Sequence, residues 1–366
     1  MRQTIPNSNS IILTGREWLL TIAIFLAFSF TVYNGWYHWE KLAVEPDYRS
    51  TCWEERMSDY WGYMEWNRYA REHFKMLLIG DSVIWGQEVG NNQTISHYLN
   101  AQLGKEEAAN LGIDGLTDAA LNGLVTWYGD YLRSTNAIIQ FNPLWMSSPT
   151  RDMRRKSGFH HPRLVPQLDH RIVYFKDLNE RVGYHFEHIL KLPPFVRHQM
   201  VNYFDNKSIT TWLMDNPYRC PLGAITFRAA PVMTEKQGLG TSWLDRKGGG
   251  KLIDEPFLPL NESVQWECYL KALEKLKKRD MNVFILLGPF NTYYLTSASR
   301  ERFFVMMDAV KKELDSRGFP YFDSARDLLP SGEYADQCHA LAGGHAILAE
   351  AMVKDPVFLK WMTSIR

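Results

Sequence analysis

The stretch Lys75-Met76-Leu77-Leu78-Ile79-Gly80-Asp81-Ser82-Val83 decides how this chain reads: an apolar run that stops abruptly at a glycine, an acid and a serine. Residues 76 to 79 are too few for a buried helix and lack the alternation of a half-solvated strand. They read as an interior strand of a parallel sheet, covered on both faces. Gly80 lets the chain turn sharply at the strand's carboxyl end, the rim where open α/β sheets put their ligands. Ser82 falls on that rim. On these residues alone, Asp81 and Ser82 serve equally well as caps of the next helix, because a serine becomes a nucleophile only with a base beside it.

A candidate base lies far along the chain, in Tyr334-Ala335-Asp336-Gln337-Cys338-His339. A carboxylate three residues before a histidine, on a turn, can hold one ring nitrogen while the other faces a serine. Taken alone, the same residues also describe an exposed loop histidine with a surface acid nearby. Cys338 reads as a small packing residue rather than a second nucleophile.

Together these two ends resemble the SGNH, or GDSL-like, hydrolase family. Gly80-Asp81-Ser82 is similar to its first block and Asp336-x-x-His339 to its last. Asn110-Leu111-Gly112-Ile113-Asp114-Gly115-Leu116-Thr117 is similar to the second block, and Asn142 in Gln140-Phe141-Asn142-Pro143 falls where the third supplies an asparagine. The family usually has glycine two residues before this asparagine and aspartate after it; here Gln140 and Pro143 stand there. The resemblance spans residues 71 to 149 and 263 to 353. It implies a Ser82, His339, Asp336 triad and an oxyanion hole made by the Ser82 and Gly115 N–H groups and the Asn142 amide. It also implies a three-layer α/β/α fold with a parallel, doubly wound sheet.

With 366 residues, 45% hydrophobic, and no net charge, the chain can bury one sizeable core, and nothing suggests a nucleic-acid partner. From Trp18 to Trp39 there is no Lys, Arg, Asp or Glu over 22 residues. As a helix this segment would rise about 33 Å, enough for a bilayer core of roughly 30 Å. Tyr33, Trp36, Tyr37 and Trp39 have the character of an interfacial belt. A cleaved signal peptide and a buried soluble helix are the rival readings. The expectation is an uncleaved single-pass anchor, residues 1 to 40 forming tail and membrane helix. Flanking Lys and Arg are nearly balanced, so charge leaves the orientation open. The family members of this layout, membrane-tethered acyl-handling proteins of bacterial cell-envelope polymers, place the catalytic domain outside the cytoplasmic membrane, and the resemblance implies the same here.

Residues 41 to 70 read as a linker ending in an amphipathic helix that packs on the domain or lies on the membrane. From Lys75 the pattern becomes α/β. Helices are expected over 94 to 102, 118 to 133 and 263 to 278, capped by Thr94, Asp118 and Ser263, and over 299 to 316. Strands are expected over 76 to 79, 108 to 111, 136 to 141, 282 to 287 and 320 to 322. Such alternation predicts a parallel sheet whose single rim collects Ser82, Gly115, Asn142 and Asn291. Residues 150 to 262 break the rhythm and read as an inserted lid or subdomain shaping substrate access, or as a passive packing insert.

Trp85 and Trp145 each follow a proposed catalytic position by three residues. They would stack on sugar rings or pack beside the site, and Asn291 is a further candidate for substrate binding. His160-His161 and His185-x-x-His188 have no carboxylate or cysteine completing a metal set, and Gly238-Leu239-Gly240 lacks the context of a phosphate loop. No metal or other cofactor is expected. Four widely spaced cysteines, Cys52, Cys220, Cys268 and Cys338, form no disulfide framework. The expected function is a membrane-anchored serine esterase or O-acyltransferase acting on acyl groups, acetyl foremost, of a cell-envelope or secreted polysaccharide. A membrane acyl-donor protein is a conceivable partner. A lipid esterase or thioesterase, and a catalytically silent carbohydrate-binding or assembly component, are the alternatives.

Overall fold

The computed structural model describes residues 13–42, 59–90, 92–154, 161–172, 177–229 and 239–364. Cys52, Trp53, His160 and Gly238 fall outside these. The first helix, α1 (Gly15–Trp39), opens with Thr14 and Glu17 capping one another's backbone N–H groups. It is long and apolar enough to cross a membrane. Its side chains are bare up to Thr31, whereas Val32, Tyr33 and Trp36 pack into the globular part.

The segment after residue 58 forms α2 (Tyr60–His73), which packs on the domain. Tyr60, Tyr63 and Trp66 join the main core, and the Trp66 indole donates to the Asn110 carbonyl at 2.8 Å.

Five parallel strands follow the apolar runs: β1 (Met76–Ile79), β2 (Ala108–Asn110), β3 (Asn136–Phe141), β4 (Asn282–Leu287) and β5 (Tyr321–Asp323). Their order across the sheet is β2-β1-β3-β4-β5, with Ile79 level with Ile139 and Phe141 with Leu287. The chain leaves β1 for β2 on one side and then crosses to β3 on the other. This reversal opens a crevice outside the carboxyl ends of β1 and β3, and Ser82 and Asn142 follow those two ends.

The helices between the strands are α3 (Ile95–Leu103), α4 (Asp118–Tyr128), α8 (Val264–Lys278) and α9 (Ser297–Arg317), and α10 (Ala342–Lys354) and α11 (Pro356–Thr363) follow β5. Three more, α5 (Leu178–Leu190), α6 (Leu192–Tyr203) and α7 (Ile209–Asp215), lie between β3 and α8 in the chain. Side chains alternate along a strand, and that alternation separates the two faces of the sheet. Phe141 meets Trp266 and Tyr269 of α8 at 5.4 and 5.2 Å between ring centres, and α4 packs along α8. Phe284, level with Ile138 and so facing the other way, meets Phe358 and Trp361 of α11, both at 5.2 Å. Helices therefore cover both faces.

One capping expectation and two helix boundaries shift. Thr117 caps α4, accepting from the Ala120 N–H, while Asp118 is buried as the first helical residue. Thr296 caps α9, which begins at Ser297 rather than 299, and the Ser299 hydroxyl is drawn to the Glu255 carbonyl at 2.9 Å. α4 also ends at Tyr128, short of 133, where Gly129 follows.

Residues 150 to 262 divide spatially. His161 binds the 110–117 loop through the Asp114 carbonyl at 2.7 Å, and α6 meets α1 and α2 through Phe195. Beyond residue 239 the chain runs along the sheet's rim. Gly240 donates to the Glu88 carbonyl, Trp243 to that of Tyr334, and Phe257 to that of Ser147.

Candidate active site

At the end of β1 the chain folds tightly enough that a Cβ on Gly80 would lie 2.4 Å from the Gln140 side-chain oxygen. That oxygen accepts the Asp81 N–H at 3.1 Å, so Gln140 locks the turn in place. Asp81 caps the single helical turn Ser82–Trp85, taking the Val83 N–H. The capping reading of this motif is thus correct for Asp81, and it leaves the Ser82 hydroxyl free to face elsewhere.

It faces His339. Ser82 Oγ lies 2.7 Å from His339 Nε2, and His339 Nδ1 lies 2.7 Å from Asp336 Oδ2. A carboxylate can only accept, so Nδ1 carries a proton, and in the neutral ring Nε2 accepts the Ser82 O–H. Asp336 Oδ1 takes the backbone N–H groups of Cys338 and His339, both at 3.0 Å, which closes the turn around the imidazole. Only 5% of Ser82 and 9% of His339 reach solvent.

Burial opposes charge on both members of the pair, and their mutual attraction outweighs it. Asp336 is held down to about 2, the imidazole and two backbone N–H groups overcoming desolvation. His339 is held well above the usual imidazole range; burial pulls it down, and the acidic groups beside it, the thiol of Cys338 and the Asp336 carboxylate, push it up. Burial raises the Cys338 thiol itself, which stays neutral and 3.9 Å from Nδ1, so the upward push is carried by Asp336.

The second loop lies against the first turn, with the Ile113 N–H on the Gly80 carbonyl at 3.0 Å and the Asn110 amide on the Ile84 carbonyl at 2.8 Å. Gly115 sits at φ 72°, a left-handed conformation that a side chain would strain. Neither the Ser82 nor the Gly115 N–H finds an acceptor among the described residues. Asn142 donates to Asp81 Oδ2 at 2.7 Å, and its own oxygen takes the Leu144 N–H. The Trp145 indole donates to the same Asp81 oxygen at 2.9 Å. Asp81, although raised by burial, thereby receives three donors that favour its charged form. This carboxylate hub is the component that motif reading overlooked. The only signal in the sequence was its place inside the first block.

Two of the substrate-binding candidates are buried, Trp85 as the packing reading has it. Trp85 is 1% exposed and has no face open to a sugar ring, because the turn that presents Ser82 points its last side chain into the core. Asn291 is fully buried as well, and its amide donates to the Asp336 carbonyl at 3.0 Å while its N–H donates to that of Gln337. It braces the histidine turn from behind. Trp145 is half-buried and tied through its indole nitrogen.

Of the histidines weighed for metal, His161 is bonded to Tyr60 and Asp114, and His188 to Tyr128 and Arg163. Among the described residues, the one group with metal-ligand types in reach of one another is Asp336, Cys338 and His339, which shares Asp336 and His339 with the hydrogen-bonded set at Ser82. Cys220, Cys268 and Cys338 are free thiols. Chemically, the arrangement joins a hydroxyl, a base with its orienting acid, and two unengaged backbone donors around one crevice. No family model matches the chain, and no curated protein matches it.

Proposed function

We propose that the chain is a membrane-anchored serine esterase or O-acyltransferase of SGNH type, acting on acyl groups, acetyl foremost, of a cell-envelope or secreted polysaccharide. The observation that carries this reading is the Ser82–His339–Asp336 array, with both contacts at 2.7 Å and the first of them joining residues 257 apart in sequence. In this mechanism His339 takes the Ser82 proton as Oγ attacks the acyl carbonyl, and Asp336 fixes the tautomer and stabilises the imidazolium. The Ser82 and Gly115 N–H groups receive the oxyanion. The second hydrogen of the Asn142 amide, whose first is held by Asp81, joins them. His339 then protonates the leaving alkoxide, and an acyl-serine remains. Water attacking it gives hydrolysis; a sugar hydroxyl gives transfer.

The full-length chain in detergent micelles, assayed with p-nitrophenyl acetate, tests the reading. Ser82→Ala should abolish turnover in a folded protein, and turnover that survives it removes Ser82 as nucleophile. Preference for long acyl chains over acetate would favour the lipid esterase alternative. Product analysis with an oligosaccharide acceptor separates transfer from hydrolysis. An inactive wild type that binds acetylated oligosaccharide would favour the silent binding component.

A further inference from the structure

Exposed large hydrophobic side chains are unevenly spread over the globular part. Among the described residues, thirteen lie between residues 161 and 229, against none between 59 and 154, three between 239 and 262 and four between 263 and 364. Isolated surface hydrophobics need no explanation, whereas a concentration on one segment does. The three helices of that segment carry them at helical spacing on outward faces: Phe186 and Leu190 on α5, Leu192 and Val196 on α6, Ile209 and Leu213 on α7. Each pair is four residues apart. Other faces of the same helices hold His188, Phe195 and Trp212 inside the protein. These helices are therefore apolar on the side turned to solvent as well as the side turned to the core.

Their position supplies the occupant. Phe195 of α6 meets Tyr33 and Trp36 of α1 at 5.6 and 5.5 Å, and Trp36 also meets Tyr203 of α6 and Phe227. Trp212 of α7 belongs to the same cluster through Phe204. The insertion thus grips α1 at the level where its bare apolar surface ends, so the apolar side chains of α1 and those of the insertion belong to adjoining surfaces. A helix apolar on its outer face, held beside a membrane-crossing helix, lies in the headgroup and acyl boundary.

We propose that α5, α6 and α7 form a second membrane-contact surface, a collar around α1 whose outward side chains enter the lipid. The contact is apolar: from Leu178 to Asp215, the span of the three helices, four Arg and Lys are balanced by four Asp and Glu, so the surface takes neutral lipid. It is independent of the chemistry at Ser82.

The test uses the full-length chain with Cys52→Ser and Cys220→Ser, which leaves only the buried Cys268 and Cys338, reconstituted into phosphatidylcholine vesicles. An environment-sensitive fluorophore is placed singly at Leu190→Cys, Leu213→Cys or Met214→Cys, with Val305→Cys as a soluble-face control and Phe28→Cys as the control in α1. Lipids carrying a shallow nitroxide quencher should quench the three insertion positions at least about twofold more than Val305→Cys, unchanged by high salt. Quenching no stronger than at Val305→Cys overturns the proposal, as does an unquenched Phe28→Cys with a deep quencher, which removes the bilayer itself. Cross-linking between insertion positions of two chains without lipid quenching assigns the surface to a second copy and overturns it too. Ser82→Ala should leave every quenching value unchanged, so failure here and failure of the esterase reading are separable.

Discussion

At the scale of single residues, the pH dependence follows from Asp336 and His339. In the proposed mechanism His339 acts as base only when neutral, and its pKa is held well above the free imidazole value. For a small ester, kcat/KM should therefore fall as pH drops through a value higher than the ordinary imidazole pKa of about 6.5. Asp336→Asn should move that acid limb downward and reduce turnover on the order of 10,000-fold, as loss of the orienting acid does elsewhere. A pH–rate profile of both proteins checks this; identical limbs would separate Asp336 from the base. Asn142→Ala should cost about 100-fold to 1000-fold in kcat if its amide meets the oxyanion. Ser82, His339 and Asp336 were legible in sequence because motif order survives folding. The direction of Trp85 and Asn291 was not, since spacing from a strand end says which loop a residue occupies and nothing about which way its side chain points. Asp81 escaped for a related reason: an N-cap and a carboxylate hub look identical until Asn142 and Trp145 arrive from another strand.

At the scale of elements, the most consequential contact outside the crevice is the buried imidazole of His198 on α6. Its ring nitrogens lie 2.9 Å from Asp59 and 2.8 Å from Glu40, at the start of α2 and the end of α1. Burial disfavours its charge, and the two carboxylates prevail, raising His198 to about 10. A group raised on folding contributes stability that is fully present below its unfolded pKa of about 6.5 and is lost as pH rises through the folded value. Stability should therefore decline between about pH 6.5 and pH 10. His198→Gln should flatten that decline and cost about 3 to 5 kcal/mol at neutral pH, because two buried carboxylates lose their counter-ion. Thermal melts of both proteins across that range test it. The strands and most caps were legible because buried parallel strands are short apolar runs bounded by Gly, Ser, Thr and Asn. Helices α5 to α7 were not, because side chains that are apolar on both sides blur the contrast that marks a core-facing stripe.

At the scale of the molecule, the sheet order places the carboxyl ends of β1 and β3 side by side, which is how Ser82 and Asn142 meet although β2 intervenes in the chain. The α1 junction makes the fold depend on residues ahead of the globular part. A fragment beginning at residue 41 loses Tyr33, Trp36 and Glu40, whereas one beginning at residue 32 keeps them. The shorter fragment should melt at least about 5 °C lower by scanning fluorimetry, and equal melting temperatures would make the junction energetically idle. Membrane length was readable from composition alone, but the point where α1 stops facing outward was not, since Trp36 would suit lipid or protein equally.

Trp36 and Glu40 leave no slack between the helix and the body it carries. Where α1 crosses a bilayer, a thinner or thicker hydrocarbon layer changes the tilt of such a helix, and here the whole body must swing with it. The angle at which the Ser82 crevice looks out from the surface is then set by lipid chain length, a mechanical coupling that a flexible tether would have abolished.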